Sequence, residues 1–227
     1  MKNLLIYVGR SKEFGPGYET LTKVQIDNSL SLGWRPEDIV LATDFEWEYR
    51  GVKAHVLSDG DYSALDGNRS TKILVINQLF KEGVIEPGEL YWFHDHDAFE
   101  LERIKEPCLG NEVAAFTNHG YSKEWNAGSF FFKSGSEGLF LKIYEVMIKN
   151  KSSEQKALTY LWSNGLKSLL LNNTYNVGIY RHSTILKNLD WPMLVAHFHP
   201  QKTKHLKLFK KYLPERLIEI FNNYGIR

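Results

Sequence analysis

Cysteine is nearly missing. The chain holds one, Cys108, which excludes an intramolecular disulfide and any zinc cluster built on cysteine. Net charge is nearly missing too: 28 lysines and arginines stand against 27 aspartates and glutamates, a formal charge of +1. So balanced a chain has no general attraction for nucleic acid or an anionic membrane, and nucleic acid is not an expected partner. Long apolar runs are absent. Leu4 to Val8 follows a single lysine and ends at Gly9-Arg10, too short for a signal-peptide core and far too short to span a bilayer. The expectation is a cytoplasmic protein with no signal peptide and no transmembrane segment. Internal repeats and low-complexity linkers are also lacking, so the 227 residues are read as one domain, 1–227.

What is present is ordinary globular composition, 43% hydrophobic and 24% charged. That excludes a disordered or collagenous chain. A chain of this length buries about 70% or more of its unfolded surface, enough for a core without disulfides or structural metal.

Short apolar runs alternate with helical patterns. Asn3–Val8 reads as a buried strand, Tyr18–Leu32 as a helix closed by Gly33, Ile39–Ala42 as a second strand and Val52–Leu57 as a third. Ser70–Lys81 reads as a helix, and Leu90–Phe93 as a central strand. Strand, helix and strand at this pace predict an α/β fold with a mainly parallel sheet. Further on, Val113–Phe116 and Ser129–Lys133 are expected strands, and Leu139–Ile148 and Gln155–Trp162 expected helices. A basic tail, Lys202–Lys211, precedes a helix over Glu215–Asn222 introduced by Pro214.

The chemistry concentrates in Tyr91-Trp92-Phe93-His94-Asp95-His96-Asp97. Residues i and i+2 of a strand share a face, so Asp95 and Asp97 converge where the strand ends, at the edge where open α/β sheets bind ligands. Two carboxylates in one small volume repel unless one protonates or a cation lies between them. A solvated acidic turn is the bland alternative, but an aromatic run leading into four polar residues makes a poor surface loop. A His-Asp phosphohydrolase, the other alternative, sets its ligands on helices. A divalent cation is the economical reading. Oxygen ligands suit Mg²⁺ or Mn²⁺, and an added imidazole tilts the choice to Mn²⁺. Val195-Ala196-His197-Phe198-His199-Pro200 is another short strand ending in histidines, and either His197 or His199 is a candidate third ligand. Lys202, Lys204 and Lys207 nearby offer point charges for phosphate.

In order, from about Asn3 to Lys204, these residues resemble the GT-A superfamily of nucleotide-sugar glycosyltransferases, in its small viral and bacterial form. Asp95-His96-Asp97 resembles the Asp-x-Asp motif. Trp125-Asn126-Ala127-Gly128-Ser129 is similar to the Asn-Ala-Gly segment that lines the donor-sugar pocket and leads into the next strand. Glu154-Gln155 resembles the Asp-Gln pair of glycogenin-like and lipopolysaccharide galactosyltransferases, with Glu in place of Asp. Ala196-His197-Phe198 resembles their late His-Phe element, with His199-Pro200 where a glycine is expected. The resemblance implies a Rossmann-like nucleotide-binding half, about 1–97, and a donor-sugar and acceptor half, 98–227. It implies transfer of a sugar from a nucleoside diphosphate, UDP foremost, to an acceptor hydroxyl on a glycan, lipid or protein.

The roles it implies are metal binding by Asp95, Asp97 and His197, with Asp95 reaching metal or ribose. Tyr7, Arg10, Asp44 and Lys72 would touch the nucleotide or donor, Trp125 to Gly128 the sugar, and Lys202 the diphosphate. Glu154 and Gln155 are the expected catalytic pair, Glu124 a second candidate base, and the motif set leans to retention of configuration. Trp125 is the aromatic singled out as a sugar platform. Two other functions compete. A sugar-nucleotide nucleotidyltransferase would use a Gly-rich basic loop, faintly echoed in Gly9-Arg10-Ser11-Lys12, and a binding module would hold sugar or nucleotide without turnover.

Overall fold

Apolar runs only a few residues long suit strands buried on both faces, and the chain builds its centre from such strands. The computed structural model describes residues 1–9, 11–62, 71–118, 125–166, 168–178 and 192–227. Strand β1 (Lys2–Ile6) leads to helix α1 (Tyr18–Ser31), then to β2 (Ile39–Thr43), β3 (Glu48–Tyr49), β4 (Val52–Lys53) and β5 (His55–Val56). Helix α2 (Thr71–Lys81), β6 (Leu90–His94), β7 (Ala98–Glu100), β8 (Ala114–Asn118) and β9 (Trp125–Lys133) follow. Next come α3 (Glu137–Asn150), α4 (Glu154–Ser163), β10 (Leu169–Leu170), β11 (Val177–Gly178), β12 (Val195–His197), α5 (Thr203–Phe209) and α6 (Glu215–Asn223).

Seven strands form the main sheet in the order β10-β8-β9-β6-β1-β2-β5. From β6 to β5 every neighbour is parallel, whereas β9 runs antiparallel to both β6 and β8. The order reverses at β1, which sits between β2 and β6. This switch point opens a crevice at the carboxyl ends of β1 and β6.

Period-2 alternation fills both faces of the sheet. Leu4, Phe93 and Phe130 pack with Ile76 and Phe140 on the side of α2 and α3, while Leu5, Trp92 and Phe131 pack with Ile26 and Leu41 on the other. A second sheet, β11-β12-β7, has its own core, in which Phe198 stacks on Phe209 with ring centroids 4.6 Å apart. Helix α1 buries polar residues as well as apolar ones. Its Gln25 and Asn28 donate to the carbonyls of His96, Ala98 and Glu100 at 2.9–3.0 Å, tying the helix to β7.

The expected elements stand with adjusted ends, and one expectation needs correction. Val52–Leu57 is not one strand. The Ala54 N–H turns to the Trp47 carbonyl, so Val52–Lys53 pairs back on β3 while His55–Val56 crosses to the edge of β2. Within the basic tail, Leu206 and Phe209, three apart, bury one face of α5. Among the described residues no helix is long and apolar enough to cross a membrane.

Candidate active site

Between β6 and β7 the chain turns tightly and places the two aspartates at the switch point. The Asp95 N–H donates to the Gly128 carbonyl at 2.8 Å, and the Ala98 N–H to the Asp95 carbonyl at 2.9 Å. His94, the last residue of β6, is buried against Trp92, with ring centroids 4.1 Å apart, and shares a 2.9 Å hydrogen bond with Asn3 Oδ1. Burial lowers its pKa to about 3, so it stays neutral and structural. His96 sits edge-on to Tyr7 and Tyr18, and burial lowers its pKa to about 4.

A long-range pairing supplies the imidazole. β12 runs antiparallel to β7 with His197 opposite Ala98, and the Phe198 N–H donates to the Asp97 carbonyl at 2.8 Å. His197 Nε2 thereby comes to 3.1 Å from Asp97 Oδ1. One ligand atom from each of Asp95, Asp97 and His197 lies within 4.8 Å of the others, the one such cluster among the described residues. Donor atoms on one cation, at bonds of about 2.0–2.6 Å, stand roughly 3–5 Å apart. The three side chains therefore fit a divalent metal in spacing and in donor chemistry.

The surroundings orient the three side chains. His197 Nδ1 is 2.9 Å from Asn176 Oδ1, and Asn176 Nδ2 donates to Thr117 Oγ1 at 3.2 Å. Because an amide oxygen only accepts, Nδ1 carries a proton, and Nε2 is the nitrogen turned to Asp97 and available to a cation in its place. Gly128 makes room for this ring: a Cβ there would lie 2.6 Å from His197 Nδ1. Burial disfavours charge on both partners. The imidazoles of His197 and His199 nonetheless hold the Asp97 carboxyl far below the ordinary range, and Asp97 in turn raises the pKa of His197.

Lys72 reaches the same carboxylates from α2. Its Nζ lies 2.5 Å from Asp95 Oδ1 and 3.9 Å from Glu154 Oε1, and it donates to the Ala127 carbonyl at 3.0 Å. Burial opposes its charge, yet Asp95 and Glu154 more than offset that and raise its pKa. These groups border a cavity of about 560 Å³ whose wall includes Tyr7, Tyr18, Lys72, Asp95, Asp97 and His199.

Of the residues expected from the sequence, Tyr7, Lys72, Asp95, Asp97 and Glu154 line this cavity, and His197 stands behind Asp97. Ala127 and Gly128 meet the site through their carbonyls. Asn126 is buried and accepts the Gly128 N–H at 2.7 Å. Trp125 is 2% exposed, packed against Phe116 and Trp162 in the core, and presents no open face for stacking. Asp44 accepts the Gly9 N–H at 3.1 Å and so holds the loop after β1; it is not part of the cavity wall. Gln155 and the exposed Lys202 are not in that wall either. Arg10 and Glu124 lie outside the described residues.

Sequence reasoning missed Asn176, Gln25 and Tyr18. Asn176 precedes a two-residue strand and carries no motif. Gln25 interrupts the apolar face of α1, and a buried amide in that position was a readable sign of a backbone clamp.

The same fold recurs in solved glycosyltransferases. The glycosyltransferase GlyE of Streptococcus pneumoniae TIGR4 superposes with a TM-score of 0.59 at 13% identity, covering 100% of this chain and 64% of that one. This chain thus spans less than two thirds of GlyE. The galactosyltransferase LgtC, solved with donor and acceptor sugar analogues, gives 0.65 at 13% identity, with 98% and 96% covered. A glycosyltransferase involved in glycosylating the major capsid of PBCV-1 gives 0.56 at 12% identity, with 99% and 100% covered. No family model and no curated protein sequence matches the chain. The architecture is the GT-A fold, as the motif order implied; at this identity the likeness speaks for the fold alone.

Proposed function

We propose that the chain, as a single domain over 1–227, is a metal-dependent glycosyltransferase that moves a sugar from a nucleoside diphosphate, UDP foremost, to an acceptor hydroxyl. The observation that carries this reading is the convergence of Asp95, Asp97 and His197 within 4.8 Å at the carboxyl end of β6, on a cavity in the GT-A fold. Glycosyltransferases of the same fold support it.

Asp97 and His197 would hold the cation with Asp95, and Mn²⁺ suits a mixed carboxylate and imidazole set better than Mg²⁺. A bound cation would neutralise charge on the diphosphate leaving group. The chain's own residues supply the rest. Tyr7 and Tyr18, with ring centroids 5.0 Å apart, form an aromatic wall for the nucleoside. Lys72 brings a fixed positive charge to the floor of the cavity, where the donor's anionic groups would lie. Glu154, within reach of Lys72, and Gln155 after it head α4 and are assigned to the sugar side. A lean to retention follows from the motif set alone.

Thermal unfolding tests the reading. At a hundredfold excess over Kd, a UDP-sugar with Mn²⁺ should raise the Tm by about 5–10 °C. Asp97→Ala should abolish the shift. If no nucleotide sugar shifts the Tm, with or without metal, the proposal fails.

A further inference from the structure

Two imidazoles, not one, flank Asp97. His199 follows His197 by two residues, and alternation along an extended chain puts both on one face. Phe198 between them points the other way, 1% exposed and packed on Phe99 and Phe209. His197 Nε2 stands 3.1 Å from Asp97 Oδ1, and His199 Nδ1 stands 2.7 Å from the other oxygen, Oδ2. His199 also lines the cavity that Asp95 and Asp97 line. Adjacent donor atoms on a six-coordinate cation with bonds of about 2.1 Å are roughly 3 Å apart. Both separations match that edge, and they fall on opposite oxygens of Asp97, so the two imidazoles share the carboxylate and not one donor atom.

We infer that His199 is a second imidazole ligand of the cation, so that the centre is built from two carboxylates and two imidazoles; the inference rests on the metal centre proposed above. His199 stands outside the compact cluster of Asp95, Asp97 and His197, and its ring, 54% exposed, would turn onto the cation without disturbing the core. A second nitrogen donor has a consequence for selectivity. Mg²⁺ favours oxygen and sheds water reluctantly, whereas Mn²⁺ and Co²⁺ accept imidazole readily. The centre should therefore discriminate against Mg²⁺ more strongly than a site with one imidazole. The competing arrangement has His199 donating an N–H to Asp97 from outside the coordination shell.

Pulsed electron paramagnetic resonance of Mn²⁺ added to the full chain, alone and with UDP, separates the two, because it counts nitrogen nuclei bonded to the ion. Two imidazole nitrogens are expected in the native protein, and one in either His199→Gln or His197→Gln. Calorimetric titration should show His199→Gln weakening Mn²⁺ and Co²⁺ by about tenfold or more and Mg²⁺ by less. One nitrogen in the native protein, or an unchanged count in His199→Gln, overturns the inference and leaves the metal centre standing. Absence of bound Mn²⁺, or binding that survives Asp97→Ala, overturns both.

Discussion

An alanine at Gly128 is the smallest change that probes how the centre is held. Its Cβ would lie 2.6 Å from His197 Nδ1 and 3.0 Å from Asn126 Oδ1, and closer still to His197 Cε1. The backbone of β9 is poorly placed to yield, because the Gly128 carbonyl accepts the Asp95 N–H at 2.8 Å and its N–H donates to Asn126 at 2.7 Å. The imidazole must give way. Moving it sacrifices the 2.9 Å contact with Asn176 and the 3.1 Å contact with Asp97. Losing these costs about 1–3 kcal/mol, the usual range for overpacking a tight interior. In a His197→Ala background only the 3.0 Å approach to Asn126 Oδ1 remains, and the same alanine should cost less, under about 1 kcal/mol. The double-mutant cycle then has a coupling energy of about 1–3 kcal/mol, read by urea denaturation of the four proteins. Additive effects would refute the view that Gly128 is there to admit His197.

Three further outcomes are expected. Asn176→Ala frees His197 to rotate and change tautomer, and Mn²⁺ affinity measured by calorimetry should fall about 10–100-fold. Lys72→Met leaves Asp95 and Glu154 without their ammonium and should destabilise by about 3 kcal/mol in urea, whereas Lys72→Arg should keep most of that stability. Asp38 hydrogen-bonds Arg35 at 2.8 Å and Lys2 at 3.0 Å, and Arg35 foremost lowers its pKa to about 2. A depressed carboxyl contributes its stability above the unfolded pKa and loses it as pH falls from about 4 through 2. The loss should be about 1 kcal/mol, since Arg35 is 68% exposed and screened. Asp38→Asn should flatten the stability profile in that window.

Local periodicity is what a chain writes plainly. The burial of β6 on both faces required an unbroken apolar run, and Leu90–Phe93 supplied it, so the strand and the aspartates after it were legible in the sequence. The helices α2 and α6 were legible for the same reason. Val52–Leu57 misled because an apolar alternation does not say which neighbour each half will pair with. Trp125 misled too: an aromatic next to a polar motif looks the same whether its ring faces a ligand or, as here, Phe116 and Trp162.

The amino-acid order alone determined the α/β class, the acidic pair at a strand end and the histidine pair at another. Tertiary structure decided that these ends meet. That depends on the register of β7 with β12, which sets His197 opposite Ala98, and on α2 aiming Lys72 at Asp95 across the same crevice. Pairings between distant segments arise from sheet order and loop closure, which leave no spacing signal in the chain. The hydrogen bond from His197 to Asn176 is of this kind: only the side-by-side packing of β11 and β12 makes an unremarked asparagine the partner of that imidazole.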